Sequence, residues 1–120
     1  MKVCVTAAGT DWSAAAQPNF GRAPYFLFIE TGSETIDAVT NRPGAHGAGV
    51  QAAQVMSERG AKAVITGAVG PNAYQGLAAA GIDVYVGATG TVREAYDAYC
   101  AGTLRQANAP TGRPHGGGRR

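Results

Sequence analysis

The chain has 120 residues, of which 45% are hydrophobic, and a formal net charge of +2 at neutral pH. This length predicts one domain with a single core, and the lack of an apolar run of about 18 residues or a signal-peptide pattern favours a cytoplasmic protein without a membrane span. Arg113, Arg119 and Arg120 lie near the end, and without them 7 basic residues face 8 acidic ones. We therefore do not expect binding to nucleic acid.

The first third of the chain contains three candidate strands. Residues 2–7 (KVCVTA) and 25–31 (YFLFIET) are rich in the β-branched and aromatic residues that favour strands. Residues 35–40 follow a Gly-Ser turn, which predicts an antiparallel hairpin with the second strand. The 17 residues from 8 to 24 have no clear period, which is typical of a functional loop.

Helices alternate with short strands in the remainder. A helical period begins after His46 and ends at Gly60, and a second helix is expected from Pro71 to Gly81. The sequence Thr91-Val-Arg-Glu94 is a capping box that opens a third helix. Strands are predicted at 63–66 and 82–86.

This order of elements predicts an α/β domain over residues 1–105, with a mixed five-stranded sheet, an antiparallel hairpin and three helices. Residues 106–120 are rich in Pro, Gly and Arg, which is typical of a flexible tail. In open sheets of this kind, ligands bind beyond the carboxyl ends of the parallel strands. We therefore expect a binding site in the loops at that edge.

Glycines are concentrated in those loops, where they let the main chain approach a ligand and direct N–H groups at it. The helix starts beside them would favour an anion. Turn and cap roles are the alternative explanation for each glycine taken alone. The candidate binding residues are Arg22, Gly44, His46, Gly47, Gly49, Gly67, Gly70, Asn72, Gly87 and Gly90.

Single side chains in these loops have two interpretations each. His46 is a candidate metal ligand or anion donor, or else a solvated cap residue. Asp11 and Trp12 are candidates for a lid, although a lone Trp is more often packed. Cys4 and Cys100 belong to no metal-binding spacing, so buried reduced thiols are expected and a ligand role stays open.

Catalysis is not expected. Asp11 is the only acid in the candidate loops, no nucleophile motif is present, and two-metal nuclease chemistry needs clustered carboxylates. The loops also lack the lysine and the spacing of nucleotide-binding motifs. A regulatory module for nucleotide or phosphate remains the alternative to an anion carrier.

Several segments resemble one family. They are NFGRAPYFLFIE at 19–30, NRPGAHGAGVQAAQ at 41–54, VITGAVGPNAYQGLAAAGIDVY at 64–85 and GTVREA at 90–95. Together they resemble the dinitrogenase iron–molybdenum cofactor biosynthesis family, and within it the stand-alone orange-protein type.

This resemblance implies a ribonuclease-H-like fold without that nuclease's active site. It also implies non-catalytic binding or carriage of an anionic molybdenum-containing metal–sulfur cluster, either a molybdenum–copper sulfide or an iron–molybdenum type, against the helix N-termini and Arg22. The implied partners are the inorganic cluster and a partition-type ATPase or a cluster-receiving protein.

Overall fold

The computed structural model describes residues 1–41 and 48–108. They form a six-stranded mixed sheet with the order β3-β2-β1-β4-β5-β6. The strands are β1 (Lys2–Ala7), β2 (Tyr25–Glu30), β3 (Ile36–Thr40), β4 (Ala63–Ile65), β5 (Asp83–Val86) and β6 (Arg105–Gln106).

The pairing of the strands follows the predicted pattern. β2 pairs antiparallel with both β1 and β3, which confirms the hairpin. β1, β4 and β5 are mutually parallel; β1 and β4 are almost wholly buried, whereas in β5 only Val84 and Val86 are buried. Their apolar residues face helices on both sides of the sheet, which explains why they form nearly continuous hydrophobic runs.

The prediction of five strands was wrong. Arg105 and Gln106 form a sixth strand antiparallel to β5, and the Ala107 N–H donates to the Val84 carbonyl at 2.7 Å. Two exposed residues are too few to show a period of two, so this edge strand leaves no pattern in the sequence. The pairing of Gln106 also extends the sheet one residue past the predicted domain end.

Three helices cover the sheet, as predicted: α1 (Ala48–Glu58), α2 (Pro71–Ala79) and α3 (Val92–Ala101). Ala53, Met56 and Leu77 of α1 and α2 pack on one face of the sheet, where they meet Phe26 and Phe28. Val92, Ala95 and Tyr96 of α3 pack on the other face. A Cβ on Gly76 of α2 would lie 3.0 Å from the Ala53 methyl group, so small residues allow α1 and α2 to approach closely. None of the described helices is long and apolar enough to cross a membrane.

Candidate functional site

The ends of five elements meet at one edge of the sheet, which we call the rim. Strand register places Ala7 opposite Tyr25 and Tyr25 opposite Thr40, so β1 and β3 end where β2 begins. β4 and β5 end beside them, because Val5 pairs with Ile65 and Ile65 pairs with Tyr85. The loops of residues 8–24, 66–70 and 87–91 therefore start or end at the rim.

The loop after β1 crosses the rim as an ordered strap, residues 12–18. The Gln17 N–H donates to the Thr6 carbonyl at 2.8 Å, and the Thr6 hydroxyl donates to the Gln17 carbonyl at 2.7 Å. Farther along, the Ala68 N–H donates to the Pro18 carbonyl at 2.7 Å. These bonds join the strap to the ends of both β1 and β4.

A buried pair of threonines supports the strap from below. Thr6 and Thr66 are fully buried at the ends of neighbouring strands, and their hydroxyl oxygens lie 2.9 Å apart. Buried hydroxyls are costly unless they are hydrogen-bonded, so this pair fixes the geometry around it. Neither residue was predicted from the sequence, although a threonine at the end of each of two buried strands is a signal that the sequence contains.

Gly67 has a packing reason to be glycine. An added Cβ would lie 2.6 Å from the Pro18 carbonyl oxygen and 2.7 Å from the Pro18 Cα. Backbone of the strap therefore occupies the space that a side chain at position 67 would need.

The first N–H groups of α3 already have hydrogen-bond partners, contrary to the expectation that the helix starts beside the glycine-rich loops would favour an anion. The Val92 N–H donates to the Ala14 carbonyl at 2.8 Å, and the Arg93 N–H donates to the Trp12 carbonyl at 3.0 Å. The predicted capping box is confirmed: the Glu94 N–H donates to the Thr91 hydroxyl, and the Thr91 N–H donates to the Glu94 carboxylate. No donor of the first turn of α3 is left for a ligand.

Gly90 is part of this cap. Its φ is +81°, and an added Cβ would collide with the Glu94 carboxylate. The residue therefore has a sufficient structural reason to be glycine, whatever it does for a ligand.

Trp12 is packed in the strap. The Arg93 guanidinium lies 4.1 Å from the centroid of its indole ring, and the Tyr96 ring meets it edge-on at 5.3 Å. Arg93 also forms ion pairs with Glu34 and Asp97, and those carboxylates raise its pKa. These contacts agree with the packing alternative for Trp12 rather than with a lid.

The N-terminus of α2 differs from that of α3 because it has no side-chain cap. Its cap residue is Gly70, which offers no side chain to the helix, and Pro71 has no N–H. The next two backbone N–H groups, those of Asn72 and Ala73, have no hydrogen-bond acceptor among residues 1–41 and 48–108. Pro71 and Asn72 are exposed, whereas Ala73 is buried.

Arg22 ends a short 3-10 helix, Phe20–Arg22, which is joined at its first residue to the loop before α2. The Phe20 N–H donates to the Ala68 carbonyl at 3.2 Å, which joins the turn to the loop before α2. The Asn41 side chain holds the other end of the turn by donating to the Ala23 carbonyl at 2.8 Å. Arg22 is exposed and forms no ion pair within the part of the chain that the structure describes.

The other predicted site residues are distributed as follows. Gly49 lies in the first turn of α1, and Gly67 and Gly87 line a cavity of about 370 Å³ on the β5 side of the rim. Gly44, His46 and Gly47 lie outside the described residues. Their roles in binding remain predictions.

The two cysteines have different environments. Cys4 is fully buried in β1, and burial raises the pKa of its thiol well above the usual range. A protonated thiol is a poor metal ligand, so Cys4 is a core residue. Cys100 is exposed on α3. Within the described ranges, no three His, Cys, Asp or Glu side chains are grouped to hold a metal ion.

Comparison with known proteins identifies the family. The model of the family described as dinitrogenase iron-molybdenum cofactor matches residues 1–102. The chain belongs to this family. The resemblance found in the sequence is therefore confirmed.

Relatives of known structure share the architecture. The chain is similar to the apo form of the orange protein from Desulfovibrio gigas, with 37% identity, a TM-score of 0.87, and coverage of 92% of this chain and 95% of that one. It is also similar to a putative NifB protein from Thermotoga that belongs to the DUF35 family, with 37% identity, a TM-score of 0.79, and coverage of 88% and 91%. An uncharacterized protein of Methanocaldococcus jannaschii is 32% identical over 94 residues, which is 74% of this chain and 80% of that one.

Proposed function

We propose that this protein binds and carries an anionic molybdenum-containing metal–sulfur cluster at the rim, without catalysing a reaction. The observation that carries the proposal is that the N–H groups of Asn72 and Ala73, in the first turn of α2, have no acceptor among residues 1–41 and 48–108. In the same ranges Arg22 is exposed and forms no ion pair, and its 3-10 turn is hydrogen-bonded to the loop before α2. Membership of the cofactor family and similarity to the orange protein support a cluster as the cargo. Of the two cluster types, we favour a molybdenum–copper sulfide over an iron–molybdenum type.

The chemistry of the donors suits such a cargo. A sulfide cluster spreads its negative charge over many atoms, and backbone N–H groups and a guanidinium stabilise diffuse charge without forming covalent bonds. The partial positive charge at the start of α2 adds to this attraction. The chain's own contribution is therefore to hold and orient the cluster, while His46 remains a candidate ligand predicted from the sequence.

Anaerobic reconstitution tests the proposal. Protein freed of metal is mixed with tetrathiomolybdate and a copper salt, and uptake is followed by visible absorbance and by elemental analysis after gel filtration. We expect a coloured complex with a fixed ratio of metal to protein. No uptake at micromolar protein concentration would contradict the proposal.

Charge-removal variants then locate the site. Arg22→Gln should weaken retention of the cluster about three- to tenfold, as expected for one charged hydrogen-bonding group at an exposed position. The matched control is Arg59→Gln, because Arg59 pairs with Asp37 after the end of α1 that lies away from the rim. Equal retention by both variants would remove Arg22 from the site.

A regulatory module that binds nucleotide or phosphate is the alternative function, because a helix start such as that of α2, whose N–H groups lack acceptors among the described residues, also suits phosphate. Calorimetry with a panel of nucleotides and no metal would distinguish the two. Binding in the absence of metal, with no cluster uptake, would favour this alternative.

Three further parts of the proposal rest on the family resemblance. We propose a ribonuclease-H-like topology, a cytoplasmic location, and a partner that is a partition-type ATPase or a cluster-receiving protein. Cleavage of an RNA–DNA hybrid in the presence of magnesium should be absent, since the proposed role has no turnover. Any such cleavage that survives purification to homogeneity would contradict the non-catalytic role.

A further inference from the structure

A concave region lies at the ends of β4 and β5, beside the start of β6. Its volume is about 370 Å³, which falls within the range of small-molecule pockets. The lining residues are Gly67, Val86, Gly87, Thr103, Leu104 and Arg105.

The lining combines one cation with an apolar wall. Arg105 is exposed and has no ion-pair partner among the described residues, and no acidic side chain lines the cavity. Val86 is buried and Leu104 is half-buried, so they supply an apolar surface. The Thr103 hydroxyl donates to the Ala98 carbonyl at 3.1 Å, so its proton is already used and Arg105 supplies the charge for an anion.

The walls are fixed by backbone hydrogen bonds. The Gly87 N–H donates to the Gly67 carbonyl at 3.0 Å, and strand pairing holds Arg105 opposite Val86. Gly87 has a φ of +84°, and an added Cβ would meet no atom within 4 Å, so the missing side chain leaves open space there. β6 runs antiparallel to β5, so Ala107 lies beside Val84 and away from the cavity.

We propose that this cavity binds a small organic oxyanion: one phosphate or carboxylate group against Arg105, joined to a short apolar portion against Val86 and Leu104. A guanidinium binds such groups through two parallel N–H donors, and the apolar wall contributes affinity for the rest of the molecule. The cavity includes Gly67 and Gly87, which were also predicted for the cluster, but its cation is Arg105 of β6. The proposal is therefore of a second site, distinct from the cluster site that uses Arg22 and α2.

Titration of the ¹⁵N-labelled full chain tests the site by NMR. Phenyl phosphate and benzoate probe the two oxyanions, inorganic phosphate probes the charge alone, and benzyl alcohol probes the ring alone. We expect one or both aromatic anions to shift the Gly67 and Gly87 amide signals with a dissociation constant of about 1 mM or lower, and the two single-feature probes to bind at least tenfold more weakly. If neither aromatic anion caused a saturable shift at concentrations up to about 20 mM, the proposal would be overturned.

Variants assign the binding to Arg105. Arg105→Gln should weaken the better aromatic anion about tenfold, since a hydrogen bond to a charged group contributes roughly that factor, and Arg105→Lys should retain part of the affinity. Arg59→Gln, the matched control, should leave it unchanged. Equal binding by Arg105→Gln and the unmodified protein would overturn the assignment.

Cluster uptake separates this proposal from the preceding one. Arg105→Gln should take up thiomolybdate and copper as well as the unmodified protein does, whereas Arg22→Gln should bind phenyl phosphate normally. Loss of cluster uptake in Arg105→Gln would show that both ligands use one site and would overturn the claim of a separate one.

Discussion

The helices α2 and α3 both start at the rim, but they differ in whether their first N–H groups have acceptors among the described residues. α3 begins with a capping box, and the strap supplies the carbonyls of Trp12 and Ala14 to its first two N–H groups. α2 begins with Gly70 and Pro71, and its next two N–H groups have no acceptor among residues 1–41 and 48–108. Within the described residues, the first N–H groups of α3 therefore have acceptors, whereas those of Asn72 and Ala73 in α2 have none.

The difference shows what a glycine-rich loop before a helix can mean. At α3 the glycine belongs to the cap, since a side chain at Gly90 would displace the Glu94 carboxylate. At α2 a side chain at Gly70 would meet no atom within 4 Å, so packing does not require glycine there. A helix start that lacks a side-chain cap, where one would fit, is a better candidate for ligand binding than one that has a cap.

The largest expected loss of stability comes from disrupting the strap, whose carbonyls accept hydrogen bonds from the first turn of α3. Gly67→Ala would place a Cβ against the Pro18 backbone, which cannot yield as a flexible side chain does. We expect the free energy of unfolding to fall by about 1–3 kcal/mol, as for other overpacked sites, in denaturant titrations at constant m-value.

Gly32→Ala is the matched control, because a Cβ at this exposed turn meets nothing within 4 Å. It should change stability by less than about 0.5 kcal/mol. If Gly67→Ala were as harmless as the control, the strap would not be held against β4 as tightly as the distances indicate.

Removal of the cap at α3 should lower the free energy of unfolding by an intermediate amount. Thr91→Ala deletes the oxygen that accepts the Glu94 N–H, and loss of such a cap costs about 1 kcal/mol in the free energy of unfolding. Thr91→Ser keeps the oxygen and should retain most of the stability. Gly70→Ala at α2 removes no side-chain bond, so a loss as large as that of Thr91→Ala would contradict the comparison of the two helices.

Local signals made much of the fold predictable. The strand at residues 2–7, the hairpin and the capping box each depend on residues that are neighbours in sequence, and the structure has all three. The course of residues 8–24 was not predictable in the same way. Its conformation depends on carbonyls and N–H groups of distant elements, such as Ala68 and Gly90, whose partners leave no pattern in side-chain identity.

The candidate site was predictable only at the level of its loops. Composition showed that glycines collect where strands end, but it gave no means to separate Gly90, which belongs to a cap, from Gly70, which does not. That distinction depends on which N–H groups already have acceptors in three dimensions. Arg105 escaped notice for a similar reason, because only the pairing of β6 with β5 brings it beside Gly87.

The smallest expected change in stability comes from giving α2 the kind of cap that α3 has. Gly70 has φ −76° and ψ 171°, which a capping Asp or Asn adopts without strain. Gly70→Asp should therefore raise the free energy of unfolding by a few tenths of a kcal/mol, since its carboxylate accepts from the N–H groups of the first turn. The same carboxylate should reduce cluster uptake, because it occupies those donors and repels an anion.

Two further variants separate these effects. Gly70→Asn caps the helix without charge, so it should weaken uptake less than Gly70→Asp does, and Gly32→Asp adds the same charge away from the rim and should leave uptake unchanged. A gain in stability together with a loss of uptake would mean that the open helix end is kept for binding at some expense of stability, as is common at functional sites. If Gly70→Asp instead gained stability and bound the cluster fully, the donors of α2 would not be those that hold it. The difference between the two helix starts would then have no bearing on binding.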